Sequence, residues 1–456
     1  NYDYVVNWEN DGNEIRNFSW PNGKQRSVVR NPDYYFREAI TWSDVTSGHF
    51  SMRYRTAGSI YDVVGMSVFS SSTTLLLRLL ALSNSKIVDY IMNILNPTIH
   101  ASIGYYSMIP VLIDTKQNIL PLVQENIDCA KADWNSFEIS DSFEKSPLIT
   151  EHDQNWTIKD AFNQWKRETE NRFQRLKSNE EELNKIFIDL YGLQNELVPE
   201  EDDREVSVRR ADYERDMKAF LSYFVGVTFG RYSLDTPGLV FAGGKWDIAK
   251  YKSYLPNTDD VLLLTDADYF GDNRDVINRL KEFLTVTFGQ QHLSENLDFI
   301  AGALDKKGDS AEAQIRKYFV DDFYKKDHLS AYQKRPIYWQ LQSGKKNGFK
   351  ALMYLHRYDP DTMATIRTKY LHPLQSAYEN RIDQLRQMLD QGLSGRDKSV
   401  ASKELDKLLA QLDELVKYDQ VLQHVANQHI ALDLDDGVLV NHAKVQAGEK
   451  LLTPIK

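Results

Sequence analysis

Apolar and polar positions alternate in short segments over residues 1 to about 125, and turn chemistry separates them at Asp11-Gly12, Pro21-Asn22-Gly23, Asn31-Pro32 and Ser47-Gly48. Such punctuation predicts strands and loops, and Tyr2, Tyr4, Val5 and Val6 read as a strand in progress. Leu75, Leu76, Leu79, Leu82, Ile87, Ile91 and Ile94 recur at mostly helical spacing, which Asn96-Pro97 ends. From Thr157 a long amphipathic helix is predicted. Phe162, Trp165, Phe173, Leu176, Leu183, Ile186, Phe187 and Leu190 lie on one side of it, and Tyr191-Gly192 stops it.

The acidic, proline-containing stretch Val198-Pro199-Glu200-Glu201-Asp202-Asp203 reads as a boundary. Beyond it, Met217, Phe220, Leu221, Phe224 and Val225 predict a helix capped at Gly230, followed by a turn at Asp235-Thr236-Pro237-Gly238. Helices are expected to dominate residues 275–322. Leu374, Tyr378, Ile382, Leu385 and Leu389 form one helical series; Gly392 and Gly395 break it; Leu405, Leu408, Leu412 and Leu415 form a second. This pattern predicts a long antiparallel helical hairpin. The fold class expected is α+β: a mixed α/β domain over 1–130, a connecting segment with a long helix over 131–200, a helical or mixed domain over 201–372, and the hairpin with its tail over 373–456.

Composition narrows the class. A chain of 456 residues, 42% hydrophobic and 27% charged, is folded and too long for one core. The most apolar run, residues 74–82, is interrupted by Arg78 and falls short of the ~20 residues that cross a bilayer. Cys129 is the only cysteine, which excludes an internal disulfide and a cysteine-clustered zinc site and fits a reducing cytoplasm. The first residue is Asn1, with no initiator Met, so the chain reads as cut from something longer.

The net charge of −11 argues against a globally basic nucleic-acid coat, but two local stretches run the other way. Between residues 16 and 55, seven positive residues (Arg16, Lys24, Arg26, Arg30, Arg37, Arg53, Arg55) stand against Asp33, Glu38 and Asp44, a surplus of +4. Between 334 and 372, eight (Lys334, Arg335, Lys345, Lys346, Lys350, Arg357, Arg367, Lys369) stand against Asp359 and Asp361, a surplus of +6.

Enzymatic chemistry is hard to assemble. Asp266 and Asp268 follow the apolar run 261–264 and could place two carboxylates at a strand end for a divalent metal, but no third oxygen ligand accompanies them at fixed spacing, so a solvated loop after a strand is the favoured reading. Gly344-Lys345-Lys346-Asn347-Gly348 lacks the spacing and the following Ser or Thr of a phosphate-binding loop. His356, His372, His424, His429 and His442 show no paired ligand spacing and read as ordinary surface or core histidines.

The residues themselves resemble a family. Val5-Val6-Asn7-Trp8-Glu9-Asn10-Asp11-Gly12, Asn31-Pro32-Asp33-Tyr34-Tyr35-Phe36-Arg37 and Thr41-Trp42-Ser43 look like the target-recognition region of the adenine methyltransferases of bacteriophage-exclusion (BREX) systems, PglX type. Leu80-Ala81-Leu82-Ser83-Asn84-Ser85-Lys86 and Ile109-Pro110-Val111 resemble its later part. The likeness continues through Asp133-Trp134-Asn135-Ser136-Phe137-Glu138, Gly230-Arg231-Tyr232-Ser233-Leu234-Asp235, Lys334-Arg335-Pro336-Ile337-Tyr338-Trp339 and Tyr354-Leu355-His356-Arg357-Tyr358, and closes at Leu432-Asp433-Leu434-Asp435-Asp436-Gly437-Val438.

This resemblance implies a parent enzyme that uses S-adenosylmethionine to methylate adenine in double-stranded DNA, partnered by other proteins of the BREX system. It makes residues 1–130 the DNA target-recognition domain. An amino-methyltransferase grips the flipped base with an Asn-Pro-Pro-Tyr-like loop. Asn96-Pro97-Thr98 lacks the second proline and the aromatic, and Gly243-Gly244 has no glycine-rich cofactor loop around it. The chain alone is therefore expected to be inactive, with no catalytic, cofactor-binding or metal residue assigned.

The expected DNA-binding residues are Lys24, Arg26, Arg30, Asn31, Tyr34, Ser43, Arg53 and Arg55 in the first cluster, and Arg335, Tyr338, Ser343, Lys345 and Lys346 in the second. Arginine suits bidentate contacts to guanine, and lysine suits phosphate. Against each stands a blander role: turn or capping for Asn31 and Ser43, core packing for at least one of Tyr34, Tyr35 and Phe36, and interior packing for Trp339. Arg53 and Arg55 are read as alternating, so that only one touches DNA. The rival reading is a protein-docking module for other defence components, in which both basic stretches are solvated faces.

Overall fold

The computed structural model describes residues 5–45, 48–62, 64–96, 98–112, 117–149, 156–392 and 394–455. Tyr2, Tyr4, Ser47 and Pro97, on which parts of the sequence reading fall, lie outside them. The chain is α+β and divides into two compact units, Asn1–Asn135 with Arg167–Arg210, and Ser136–Lys166 with Ala211–Lys456.

In the first unit, Val5 and Val6 are exposed and belong to no strand, a correction to the strand expected there. The Asp11-Gly12 turn is real: Asn10, Asp11 and Gly12 are successive left-handed residues, with φ of 51°, 57° and 73°. Three short strands follow, β1 (Ala39–Ser43), β2 (Arg53–Arg55) and β3 (Gly65–Val68), antiparallel in the order β2-β1-β3. Because side chains alternate along a strand, Ile40, Trp42, Tyr54, Met66 and Val68 all turn to one face. There they pack on a core that Leu76 and Leu80 of the helix Thr73–Ser83, Ile87 and Val88 of Lys86–Leu95, and Leu183 and Phe187 of Ile158–Tyr191 complete. The break between the first two of these helices falls at Asn84-Ser85, and the side-chain oxygen of Ser72 caps the first by accepting from the Leu75 N–H.

The predicted long helix forms as Ile158–Tyr191, and Gly192 leaves it at φ 71°. Its residues up to Lys166 belong to the second unit and those from Arg167 to the first. The acidic stretch 198–203 does not separate the units; it lies inside the first. Its carboxylates have internal work: Asp203 pairs with Lys177 at 2.6 Å and Arg210 at 2.9 Å, and Glu201 accepts from Asn184 Nδ2 at 2.6 Å.

The second unit is organised by another antiparallel sheet, β4 (Val261–Leu263), β5 (Tyr338–Gln342) and β6 (Lys350–Tyr354), in the order β4-β6-β5. Leu262, Tyr338, Leu352 and Tyr354 face a core shared with the helices Tyr213–Phe229, Val276–Phe288, Leu293–Ala303 and Ala311–Tyr318. Val261, Leu263, Trp339, Leu341, Ala351 and Met353 face a second core. That core is roofed by the predicted hairpin, His372–Asp390 and Gly395–Ala426. Its antiparallel sense follows from its ties, since Arg381 pairs with Glu404 while His372, nine residues earlier, meets Asp419. Gly392 and Gly395, at φ 90° and 56°, make the turn.

A buried ion pair joins these layers. Arg316 donates to both oxygens of Asp275, at 2.6 and 2.9 Å, and to the Thr265 carbonyl at 3.1 Å. Asp275, fully buried, also accepts from the Ile277 and Asn278 amides and so starts the helix Val276–Phe288. Removing one member strands the other without a counter-charge. Asp275→Ala is expected to cost about 3–5 kcal/mol in urea unfolding followed by circular dichroism. Gly348→Ala should also destabilise, by about 1–3 kcal/mol, because its Cβ would press on the Gln411 carbonyl. The same substitution at Gly344 meets only the Glu414 side chain, so its loss should be smaller in the same assay.

Candidate nucleic-acid interface

The face of the first sheet opposite the core carries Ala39, Thr41 and Ser43 of β1, Arg53 and Arg55 of β2, and Gly65 and Ser67 of β3, because the register sets Thr41 beside both Arg53 and Ser67, and Ala39 beside Arg55. Residues two apart in a strand point the same way. Arg53 and Arg55 therefore share this face and Tyr54 takes the other, a correction to the expectation that the arginines alternate. The exposed Arg53 guanidinium has no hydrogen bond or ion pair among the described residues. The half-buried Arg55 lies over Tyr61 at 4.3 Å and Phe69 at 5.9 Å. Ser43 is exposed at the end of β1, and Thr41 Oγ1 donates to the Met66 carbonyl.

The acids near this sheet are spent elsewhere. Glu38 accepts from Thr73 and Tyr54, and those two hydrogen bonds hold its carboxyl below the ordinary value. Burial, helped by Glu38, pushes the Tyr54 hydroxyl up to about 12, so it stays a neutral donor. Asp44 meets His100 at 3.1 Å.

The loops before β1 add an array of aromatics and cations. The Arg26 guanidinium stacks 4.0 Å from Trp20 and 4.9 Å from Phe18, a sandwich closed by the Arg26 N–H donating to the Phe18 carbonyl. Lys24 and Arg30 are exposed. Asn31 is left-handed at φ 50° and introduces the turn Pro32–Tyr34 without a side-chain cap. Tyr34 is 43% exposed, touches Phe69 and carries Arg37 at 5.6 Å. Tyr35 is the buried member of its trio, packed on Trp8 and Tyr61. Among the described residues, none of Lys24, Arg26, Arg30, Arg37 and Arg53 is ion-paired with an acid. Trp20, Tyr61 and Phe69 were not singled out from sequence, and Arg37 was counted in the basic stretch without a DNA-binding role; an arginine spaced among aromatics was the signal, but which ring meets which guanidinium is set by the loops.

The second basic stretch fares differently. Tyr338 and Trp339 are both fully buried, on opposite faces of a sheet covered on each side, so the Tyr338 candidate is corrected: no face of it reaches a duplex. Burying such a ring returns about 4–6 kcal/mol before entropy, more than the ~1–3 kcal/mol of a base contact. Lys350 is buried with its ammonium on the Val320 carbonyl, and burial lowers it to about 8. Arg357 donates to the carbonyls of Phe229, Asn257 and Thr258; Arg367 and His372 pair with Asp419; Lys369 pairs with Asp259. Arg335, Lys345 and Lys346 stay exposed.

The glycine-lysine turn between β5 and β6 does hold an anion, supplied by the chain itself. The Glu414 carboxylate accepts from Ser343 Oγ at 2.7 Å, the Lys346 amide at 2.9 Å and the Gly348 amide at 3.0 Å. The Ser343 hydroxyl, a DNA-contact candidate, is thereby engaged internally, and it also accepts from the Phe349 amide.

Asp266 and Asp268 likewise have structural occupations. Asp266 meets Lys407, Gln411 and the Tyr269 hydroxyl, while Asp268 accepts from the Phe270 and Gly271 amides and from Asn278. Among the described residues, no group of three or more His, Cys, Asp or Glu is placed to hold a metal, and no helix is long and apolar enough to cross a membrane.

No family model matches the chain. Among curated proteins, the adenine-specific methyltransferase PglX of Lacticaseibacillus casei (strain Zhang) is 56% identical over 99% of this chain, and the adenine-specific methyltransferase BrxX of Escherichia coli O9:H4 (strain HS) is 37% identical over 97%. The chain spans 38% of the length of each. Over nearly its whole length, then, the chain is homologous to the adenine-specific methyltransferases of the PglX/BrxX type, the family its motifs resemble.

Proposed function

We propose that this chain is the DNA-recognition and clamp part of a site-specific, S-adenosylmethionine-dependent adenine-N6 DNA methyltransferase of a BREX phage-defence system, acting in the cytoplasm, with methyl transfer performed by a part of the parent protein outside this sequence. The observation that carries the reading is the set of cations on and before the first sheet: Arg53, exposed on the face opposite the core with Arg55 on the same face against Tyr61 and Phe69, exposed Ser43 at the end of β1, and exposed Lys24, Arg26, Arg30 and Arg37 in the loops before β1. Cations that meet no acid among the described residues, as Lys24, Arg26, Arg30, Arg37 and Arg53 do not, are well placed to meet a polyanion even in a protein of net charge −11. In the second cluster the proposal keeps Arg335, Lys345 and Lys346 as phosphate contacts.

A second reading, docking of another defence protein, rests on the hairpin. The helix Gly395–Ala426 exposes Val400, Leu409 and Val416 along its length, apolar side chains that the unit's own core does not cover.

Fluorescence anisotropy of the full chain with labelled duplex separates the two. Arg53→Ala is expected to weaken binding of the recognised sequence by about 1–3 kcal/mol and to relax discrimination at one base pair; unchanged affinity and specificity would remove Arg53 from base reading. The double substitution Lys345→Ala with Lys346→Ala should weaken all sequences alike and reduce the log–log salt slope by about 0.9 for each phosphate no longer neutralised. An identical slope would leave that turn out of the interface. Absence of salt-dependent DNA binding altogether would favour the docking reading.

A further inference from the structure

Before the first sheet the chain folds back on itself in a hairpin that carries more than charge. The Trp20 amide donates to the Lys24 carbonyl and the Arg26 amide to the Phe18 carbonyl, both at 2.8 Å, with Ser19 paired opposite Gln25 between them. Pro21, Asn22 and Gly23 close the end. The Gly23 amide donates to the Trp20 carbonyl at 2.8 Å, and Gly23 takes a left-handed φ of 78°, as the last residue of a three-residue hairpin loop does.

This pairing decides which side chains share a face. Residues directly opposite each other point the same way, and so do residues two apart in a strand. Phe18, Trp20, Lys24 and Arg26 therefore stand on one face, and Ser19 and Gln25 on the other. The second face is bonded to the chain, since Gln25 Nε2 donates to the Arg16 carbonyl at 3.0 Å. The first looks to solvent: residues 16–26 are all exposed, with Phe18 and Trp20 at 47% each. Arg26 rests on both rings, and among the described residues its guanidinium makes no hydrogen bond or ion pair.

A purely apolar partner would suit the rings alone, and an acidic protein the cations alone. DNA suits both, because its bases offer flat π faces and its phosphates offer charge. Charge complementarity favours it strongly: residues 15–32 include Arg16, Lys24, Arg26 and Arg30 and no acid. The shape fits as well, since a two-stranded ribbon is slim enough to enter a groove of the duplex.

We infer that the hairpin 18–26 enters a DNA groove as a wedge, its Trp20 indole stacking on a base that has lost a stacking neighbour while Lys24 and Arg26 meet phosphates beside it. The inference rests on the reading of the first unit as DNA-recognising and gives that reading a residue no count of charges assigns. Every base has a π face, so stacking is blind to base identity. Trp20 is thus a positioning residue that seats the ribbon, and the reading of bases stays with Arg53.

The test titrates the full chain into a fluorescein-labelled duplex of mixed sequence and into the same duplex with one central abasic site, by fluorescence anisotropy across a salt series. An abasic site opens a gap that an indole enters without unstacking a base pair. The unmodified chain should bind the abasic duplex more tightly than the intact one. Trp20→Ala should remove that preference and weaken binding of the abasic duplex roughly five-fold or more, with the log–log salt slope unchanged because a stacked ring displaces no counterions. Trp20→Phe, which keeps a ring, should lose less. Lys24→Ala should do the reverse, lowering the slope and keeping the preference. Equal binding of both duplexes by the unmodified chain, or a preference that survives Trp20→Ala, would overturn the wedge and leave DNA recognition standing. A salt slope that falls in Trp20→Ala would overturn it too, since the ring would then serve only to hold the cations in place. Failure of the unmodified chain to bind either duplex would sink the recognition reading along with the wedge.

Discussion

Covering a β-sheet on both faces leaves its strands no side chain for the solvent, and that constraint shapes the second unit. In the β4-β6-β5 sheet, Leu262, Tyr338, Leu352 and Tyr354 enter one core while Val261, Trp339, Leu341 and Met353 enter the other. Polar residues on these strands must find partners inside: Gln340 donates to Thr453 Oγ1 at 2.7 Å and Lys350 to the Val320 carbonyl. The Asp275–Arg316 pair holds the strand β4 region against the helix layer, and its desolvated charges are tolerable because each is bonded bidentately.

The same constraint explains why two sequence stretches of similar charge come to such different ends. In the second unit Lys350, Arg357, Arg367 and Lys369 work as structural donors, while Arg335, Lys345 and Lys346 stay exposed. Arg357 gathers three carbonyls, Arg367 and His372 share Asp419, and Glu414 fills the turn between β5 and β6, whose amides would otherwise attract an anion. In the first unit Arg53 and Ser43 reach the surface on the face of the sheet opposite the core, although Ala39 on that face is buried. There Arg26 and Arg37 rest on aromatic rings, which fix a guanidinium in place without neutralising it, as Trp20 and Phe18 do for Arg26. A cation stacked on a ring keeps its donors for a ligand, whereas a cation bonded to a carboxylate has given them up. The distinction gives the first surface a stronger case as a nucleic-acid interface than any surplus of charge does.

Periodicity alone determined the long helix Ile158–Tyr191, the helix closed by Gly230 and the hairpin turned at Gly392 and Gly395, since amphipathic spacing, capping glycines and apolar stripes are local properties of a chain. Ordered motifs such as Asn31-Pro32-Asp33-Tyr34-Tyr35-Phe36-Arg37 were enough to reveal the kinship with adenine-specific methyltransferases. What sequence could not give was β5, β6 and their pairing with the strand expected at 261–264, because strands buried on both faces lose the alternation that marks a strand. Nor could it give the fate of individual cations. Arg53 and Lys369 look alike in a charge count, yet Lys369 meets Asp259 from 110 residues away while Arg53 meets no acid among the described residues. Ion pairing depends on distances that only the folded chain sets, and so the tertiary structure decided which basic residues remain available to bind anything.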